Sequence, residues 1–336
     1  MLSRIITYFL FVLVCFTLSC GSPAEQTQQD VPTVIGLTSV QKMDRQIEAN
    51  PDKPSLYIQR GDLYFELEGY DEAIADYKKV IELDSESIDG HLRLADTYLA
   101  YDNSRLALRT LEAASYKFSD NLPLLHKLAE YQIILKQNNE AFATLQRATK
   151  IDRFDPKTFY MMGVNFQDVE DDEKAIRSYK LAVDKDPDFI DALMRLGFMY
   201  EQKEDPVALK YYDNAIAVDP DLFDAYMAKG NYLGMQGRFP EAIEVFQEIT
   251  ARSGKRNPSA FFNIGLAYFQ MDSLAQAKKH FKITSDLDQT YGLAYYYQGV
   301  VEEQQGNKAV AKKHYLQATS FDASRTRANQ ALEALK

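Results

Sequence analysis

Two sets of small residues recur through the chain at a nearly constant spacing. The first set consists of Gly61, Ala95, Ala129, Gly163, Gly197, Gly230, Gly265 and Gly299. The second set consists of Ala73, Ala107, Ala141, Ala175, Ala208, Ala242, Ala277 and Ala311. Each set advances by 33 to 35 residues at every step. We therefore interpret most of the chain as eight copies of one structural unit, because two independent ladders agree over its length.

Within each unit the apolar positions follow a helical period. In the first unit Tyr57, Gly61 and Tyr64 stand at i, i+4 and i+7, so they share one face of a helix. After a short turn, Ala73 and Tyr77 begin a second stripe of the same kind. The pattern predicts an all-α fold in which each unit is a pair of antiparallel amphipathic helices. The small residues allow the two helix axes to approach closely.

The unit resembles the tetratricopeptide repeat, whose signature places small and aromatic residues in a fixed order. The fourth unit carries this order as Phe159, Met162, Gly163, Phe166, Ala175, Tyr179, Ala182 and Pro187. The resemblance implies a right-handed α-solenoid of about eight helix-turn-helix units over residues 54–323. The repeats are expected to start near residues 54, 88, 122, 156, 190, 223, 258 and 292. Gln132 and Glu302 stand where a buried tyrosine is expected, which predicts weaker packing in the third and eighth units.

Shorter apolar stripes flank the repeats on both sides. Residues 38–53 contain Val40, Met43 and Ile47 at helical spacing, which predicts an N-terminal cap helix. Residues 324–336 carry a narrow stripe that includes Ala328 and Leu332, which predicts a C-terminal capping helix. Such helices fit a solenoid, because its terminal units need a polar outer face.

The first twenty residues have the layout of an export signal. Arg4 precedes an uncharged apolar run over 5–18 that is too short for a membrane span of about 20 residues. The end of the run resembles the lipobox of bacterial lipoproteins, since Ser19 precedes Cys20, although Thr17 stands where leucine is usual.

The lipobox resemblance has consequences for processing and location. It implies that residues 1–19 are a lipoprotein signal peptide, that Cys20 is lipidated, and that the protein is held on a membrane of the bacterial cell envelope. The outer membrane is the expected location. Residues 20–37 lack a helical period over most of their length and are interpreted as a flexible tether. An ordinary cleaved signal or an uncleaved anchor is the alternative.

The composition argues against several classes of function. The formal net charge is −11, which is unsuited to nucleic-acid binding. Both cysteines lie in the first twenty residues, so no disulfide framework is available to the repeats. The four histidines have no His or Cys partner at metal-ligand spacing, and no phosphate loop or nucleophile elbow is present. We therefore predict no metal, no cofactor and no enzymatic activity; an enzyme with a loop-borne site is the remote alternative.

In the tetratricopeptide family the exposed faces of the first helices line a concave groove that binds protein or peptide partners. The resemblance and the helical period together predict these groove residues: Met194, Phe198, Met227, Asn231, Met235, Phe262, Asn263, Leu266, Phe269 and Tyr296. A cluster of apolar groove residues favours an interaction site. The alternative is that these side chains pack between neighbouring first helices, and the sequence leaves both open.

The predicted groove is also rich in carboxylates. The ten acids at its positions are Asp62, Glu66, Asp89, Asp96, Glu130, Asp168, Asp191, Glu201, Asp224 and Glu303. They favour a partner that carries Lys or Arg, or they form a generally acidic solvated surface. Some members of the family bind a terminal carboxylate through a clamp of Lys, Arg and Asn. Asn231 and Asn263 match two positions of that clamp, but Met227, Leu293 and Tyr297 replace its cations.

Together these features predict a membrane-tethered scaffold or adaptor that binds protein or peptide partners in its groove. A fixed structural subunit of an envelope assembly or secretion complex is the alternative, because the same groove could be permanently occupied by another subunit.

Overall fold

The computed structural model describes residues 31–254 and 256–335, and this part of the chain contains eighteen α-helices and no strand. The helices are α1 Val31–Ala49, α2 Pro54–Glu66, α3 Tyr70–Leu83, α4 Ile88–Ala100, α5 Ser104–Lys117, α6 Leu122–Ile134, α7 Asn138–Ile151, α8 Pro156–Asp168, α9 Asp172–Lys185, α10 Ile190–Gln202, α11 Val207–Val218, α12 Phe223–Met235, α13 Phe239–Arg252, α14 Pro258–Gln270, α15 Leu274–Leu287, α16 Gly292–Gln304, α17 Lys308–Ala318 and α18 Asp322–Ala334. The predicted all-α fold is confirmed.

First and second helices alternate from α2 to α17, and local sequence explains where they begin. Prolines occupy the first turn of α2, α6, α8 and α14, where a helix does not need the missing amide hydrogen. Ser87, Asn121, Asp155 and Asn257 precede four first helices, and each side chain accepts a hydrogen bond from a backbone amide of the first turn.

The turn inside each repeat ends the first helix with one residue of positive φ. These residues are Glu68, Asp102, Lys136, Glu170, Glu204, Gly237, Asp272 and Gly306, with φ between 54° and 81°. In the first repeat the next amide, that of Gly69, donates to the carbonyl of Tyr64 at 2.8 Å, which satisfies one of the last carbonyls of α2. The turn residues repeat with the same period of 33 to 35 residues as the two ladders of small residues.

The described residues divide into two compact units, with the boundary between residues 110 and 111. In the first unit α1 packs against α2, and Ile47, Leu56, Tyr57 and Val80 form a buried cluster. Arg60 joins three helices of this unit. Its guanidinium donates two hydrogen bonds to Asp76 on α3, at 2.8 and 2.6 Å, and one to Asp44 on α1, at 2.7 Å.

In the second unit the glycines of the first ladder lie against buried rings of the second helices. A β-carbon added at Gly197 would be 2.4 Å from the ring of Tyr212, and one added at Gly265 would be 2.7 Å from the ring of Phe281. Tyr212 and Phe281 are almost completely buried. Close approach of the helices therefore depends on the missing side chain, as the ladder of small residues predicted.

The two polar residues at expected tyrosine positions are buried and paired. Gln132 is 4% exposed, and its side-chain oxygen accepts a hydrogen bond from Thr144 at 2.8 Å. Glu302 is 3% exposed; it forms an ion pair with Lys278 and accepts from Asn307 at 2.8 Å. The hydrogen bond from Lys278 holds the pKa of Glu302 below its usual value. Local polar partners thus replace the expected aromatic packing.

The ends of the repeats differ in part from the prediction. Helix α1 begins at Val31, so part of the stretch 20–37 that was predicted as tether is helical. Pro32 did not prevent this, because it lies in the first turn. At the other end α18 packs Ala328, Leu332 and neighbouring apolar residues against the cluster around Tyr315. The predicted signal peptide and Cys20 lie outside the described residues.

Within the described ranges, no helix is both long enough and apolar enough to cross a bilayer.

Candidate functional site

The second unit contains an open cleft over the first helices of the sixth and seventh repeats. Its volume is about 530 Å³, which is within the usual range for ligand pockets. Helices α12, α13, α14 and α16 supply its lining residues, which are Gly230, Asn231, Gly234, Met235, Phe239, Ala242, Phe246, Asn263, Leu266, Ala267, Gln270 and Tyr297. All twelve are uncharged, although the chain as a whole is 26% charged.

Two glycines one turn apart on α12 have different roles in this cleft. A β-carbon at Gly230 would lie 2.4 Å from the ring of Phe246, which is 3% exposed. A β-carbon at Gly234 would have no atom within 4 Å. Gly230 therefore permits helix packing, whereas the absence of a side chain at Gly234 keeps the cleft open.

Two amide side chains lie side by side in the lining. Asn263 on α14 donates to the side-chain oxygen of Asn231 on α12 at 3.1 Å. An amide group has two donor hydrogens and one acceptor oxygen. The oxygen and nitrogen of each side-chain amide could be exchanged without changing this conclusion. After the hydrogen bond, the pair still has N–H groups that can donate and an oxygen that can accept. It can therefore bind a group that both donates and accepts, such as a peptide unit.

In several repeats a hydrogen bond joins the two helices, and at least one of its partners is absent from the repeats that form the cleft. The buried tyrosine of the second helix donates its hydroxyl to a first-helix acceptor in several repeats: Tyr179 to Gln167 at 3.0 Å, Tyr212 to Glu201 at 2.5 Å, and Tyr315 to Glu303 at 2.6 Å. Each acceptor follows the small residue of its first helix by four positions. Burial, and then the bond to Glu303, raise the pKa of Tyr315, which keeps it a neutral donor.

The sixth and seventh repeats lack this pairing. The ring of the second helix is Phe246 or Phe281, neither of which has a hydroxyl group. The first-helix position that carries the acceptor in the fourth, fifth and eighth repeats is Gly234 in one repeat and Phe269 in the other. Neither ring has a hydroxyl group that requires an acceptor, and Gly234 leaves space in the cleft.

Several carboxylates of the predicted acidic groove have partners within the chain. Asp62 accepts from Tyr77 at 2.7 Å and pairs with Arg93, and Asp168 pairs with Lys136. Glu201 and Glu303 accept from tyrosines as described above. The predicted attraction for a partner carrying Lys or Arg therefore does not extend to the cleft, which has no charged lining residue.

The predicted groove residues fall into three groups in the structure. Asn231, Met235, Asn263 and Leu266 line the cleft, and Met235 is 66% exposed. Phe198, at 40%, is exposed on α10 but is not part of the lining. The remaining predicted residues are buried or partly buried in helix packing: Met194, Met227, Phe262, Phe269 and Tyr296.

The structure corrects the prediction that Phe262 faces a partner. Its side chain is 6% exposed, and its ring lies between Phe281, Tyr291 and Tyr297 at centroid distances of 5.6, 5.0 and 5.7 Å. The helical period places Phe262 on the groove side of α14, but rings from neighbouring helices cover it.

Sequence reasoning missed Gly234, Phe239, Gln270 and Tyr297 as lining residues. Two residues together could have identified the cleft from sequence. Phe246 stands where several repeats have a tyrosine, and Gly234 stands where those repeats have the residue that accepts the tyrosine hydroxyl. Each feature alone is unremarkable for a helical repeat.

The described residues contain no group of three or more His, Cys, Asp or Glu side chains that could hold a metal ion. The most buried histidine, His126, lies 2.8 Å from the hydroxyl of Thr158 and 3.1 Å from Asp155. Burial lowers the pKa of His126, which favours a neutral ring in this local network.

The two glycines of α12 provide a matched pair of substitutions. We expect Gly234→Ala to raise the free energy of unfolding by up to about 0.5 kcal/mol, because glycine is less favourable than alanine in a helix and Gly234 lies in the last turn of α12. We expect Gly230→Ala to lower it by about 1–3 kcal/mol, because the added carbon overlaps Phe246. Urea unfolding followed by circular dichroism measures both. Equal effects of the two substitutions would contradict these assignments.

Comparisons with known proteins agree with the repeat fold. One family model, described as TPR repeat, matches residues 61–100, and another, described as tetratricopeptide repeat, matches residues 206–260. Tetratricopeptide repeat protein 16 of Homo sapiens is 31% identical over 108 residues, which are 31% of this chain and 12% of that protein. The BBSome complex member BBS4 of Bos taurus is 24% identical over 217 residues, which are 64% of this chain and 41% of that protein.

A similar solved structure is the C-terminal part of a TPR repeat-containing protein from Cytophaga hutchinsonii. It has a TM-score of 0.60 and 16% identity, and the match covers 72% of this chain and 99% of that one. This likeness shows the fold. The chain spans less than half the length of the two relatives named above.

Proposed function

Since this chain is built of tetratricopeptide repeats, we propose that it is a non-catalytic scaffold that binds a segment of a partner protein in the cleft between α12, α14 and α16. One observation carries the proposal: the cleft combines an apolar floor with the amide pair Asn231–Asn263, which has donor and acceptor capacity left. A protein segment matches both features of the cleft. Its apolar side chains can pack on the apolar floor, and its backbone can donate hydrogen bonds to the amide pair and accept them from it.

A photoreactive amino acid at Met235 tests this function. Met235 lines the cleft and is 66% exposed, so a bound partner should lie within reach of a probe there. We expect irradiation of intact cells to give a discrete crosslinked product. The matched control is a probe at Leu316 on α17, which is 53% exposed and not part of the lining.

The pattern of crosslinks decides between outcomes. A product at Met235 that is missing at Leu316 supports a partner in the cleft. Equal amounts of crosslinked product at both positions, or no crosslinked product at Met235, would contradict the proposal. A Met235 product in which nearly every copy of the chain is joined to one partner would favour the fixed subunit of an envelope assembly over an exchanging adaptor.

We also propose that a lipid on Cys20 holds the scaffold on a membrane of the bacterial cell envelope, with the outer membrane as the expected site. The support is the sequence pattern of residues 1–20 alone. Acyl chains bind a bilayer by about 0.8 kcal/mol for each buried methylene group, so several chains give a lasting anchor.

The two cysteines allow a controlled test of this anchor. We expect Cys20→Ser to move the protein from the membrane fraction to the soluble fraction or to leave it unprocessed. Cys15→Ser should have no effect on the processed protein, because Cys15 lies within the segment 1–19 that is predicted to be removed. Fractionation and the mass of the product measure both variants. Unchanged, processed and membrane-bound Cys20→Ser protein would exclude the lipid anchor.

A further inference from the structure

We infer that the cleft selects an internal segment of a partner chain that places one large uncharged side chain beside Gly234 and Phe246, and that it rejects a charged residue or a terminal carboxylate there. This inference rests on the proposed function and specifies its ligand. It has three independent supports: the charge of the lining, the hydrogen-bonding capacity of the amide pair, and the space at Gly234.

The first support is the charge of the lining. The chain contains 38 basic and 49 acidic residues, yet the twelve residues that line the cleft include none of them. A charged side chain that entered the cleft would lose water without gaining an ion pair or a charged hydrogen-bond partner. An uncharged side chain has no such cost and gains from burial of its apolar surface.

The second support is the amide pair. A terminal carboxylate only accepts hydrogen bonds and carries a full negative charge, and no Lys, Arg or His lines the cleft to balance it. A peptide unit inside a chain is neutral and offers one donor and one acceptor. Asn231 and Asn263, already joined at 3.1 Å, retain both kinds of capacity and therefore match an internal peptide unit.

The third support is the space beside α12. No atom lies within 4 Å of the β-carbon position at Gly234, and Phe246 is among the residues that line the cleft. Leu266 and Tyr297 add apolar surface, and the flexible side chain of Met235 can adapt to rings or branched chains. The cleft volume of about 530 Å³ is ample for one large side chain with its adjoining backbone.

The test uses two peptide libraries displayed against the full-length protein. In the first, random segments of about ten residues are flanked on both sides by fixed Gly-Ser sequences, so every binding segment is internal. In the second, the same random segments end in a free carboxylate. We expect wild-type protein to enrich only the internal library, with Phe, Tyr, Leu, Ile or Met at one position and without Asp, Glu, Lys or Arg there.

Two variants show whether the selected segments occupy this cleft. Gly234→Leu fills the open space, and we expect it to weaken binding of the selected segments at least about tenfold, or 1.4 kcal/mol. Gly234→Glu combined with Phe246→Tyr reproduces the Glu201–Tyr212 pair of the preceding repeat and should have a similar effect. Unfolding in urea should show that both variants remain folded. Phe198→Ala, which changes an exposed residue outside the lining, is the control that should bind normally.

Several results would overturn the inference. These are enrichment of charged residues at the central position, enrichment of the carboxylate library alone, no enrichment of either library, and undiminished binding by folded Gly234→Leu. The Met235 crosslink decides separately whether any partner occupies the cleft. Suppose that a partner crosslinks at Met235 but the peptide libraries select charged residues at the central position. The proposed function would then stand, and the inferred selectivity for an uncharged side chain would be wrong.

Discussion

Replacing Phe281 by alanine is expected to lower the free energy of unfolding of the second unit by about 3–5 kcal/mol. The ring is 0% exposed and packs against Gly265, so its removal leaves a cavity that the rigid helix pair cannot close. It also removes the ring contacts to Phe262 and Tyr297, at centroid distances of 5.6 and 5.3 Å. Each such pair adds about 0.5–1.5 kcal/mol beyond simple burial.

Urea unfolding followed by circular dichroism measures this loss. Leu316→Ala is the matched control, because Leu316 is 53% exposed on the next second helix and should change stability by less than about 0.5 kcal/mol. Since Tyr297 lines the cleft and stacks on Phe281, the Phe281→Ala variant should also bind selected segments more weakly. A stability loss similar to that of Leu316→Ala would show that the ring does not support the seventh repeat.

Replacing Asp76 by alanine is expected to lower the free energy of unfolding of the first unit by about 2–3 kcal/mol. Asp76 is 3% exposed and accepts two hydrogen bonds from Arg60, which also holds Asp44 on α1. The hydrogen bond with Asp76 raises the pKa of Arg60. Without Asp76 the guanidinium still stays charged, because an arginine side chain is not deprotonated in proteins. The loss is smaller than for a fully buried pair, because Arg60 retains Asp44 and some contact with water.

The same helix supplies a control for this prediction. Asp71→Ala removes an exposed carboxylate from the first turn of α3 and should cost well under about 1 kcal/mol. The double variant Asp76→Ala with Arg60→Leu should recover part of the loss, since it leaves no unpaired guanidinium. If Asp76→Ala and Asp71→Ala unfold at the same urea concentration, Arg60 does not hold the first unit together.

The repeat fold could be predicted from sequence because its cause is local and periodic. A small residue is required wherever a ring from the second helix meets the first helix, as with Gly197 and Tyr212. Such a ring meets a ladder glycine in six of the repeats. The repeated contact leaves a ladder with a measurable period. The position of a single helix end is less constrained, as the start of α1 at Val31 shows.

The cleft could be predicted only in part. Helical periodicity identifies the face of α14 that carries Phe262. It does not show that this ring is covered by Tyr297 of α16 and by Tyr291 of the turn before α16. The cleft also needs Gly234 and Phe246, which are twelve positions apart on different helices, to line the same space. The sequence shows each residue, but only the packed helices show that the position of Gly234 is open.

The predicted acidity of the groove shows a second limit of inference from sequence alone. A count of carboxylates treats every Asp and Glu as available to a partner. Asp62 and Asp168 instead form ion pairs with Arg93 and Lys136 of the same chain. Charge counted from sequence therefore overstates the charge that a ligand would meet.

The turns inside the repeats bear on how the thermal stability of this chain could be altered. Six of them hold a residue with a β-carbon at positive φ, whereas Gly237 and Gly306 occupy the same position without a steric penalty. The penalty is about 1–2 kcal/mol for an ordinary residue and is partly offset by the greater freedom that glycine gives the unfolded chain. None of the six residues lines the cleft. Distant substitutions usually add, so glycine at these turns offers a graded way to raise the melting temperature while leaving ligand recognition unchanged.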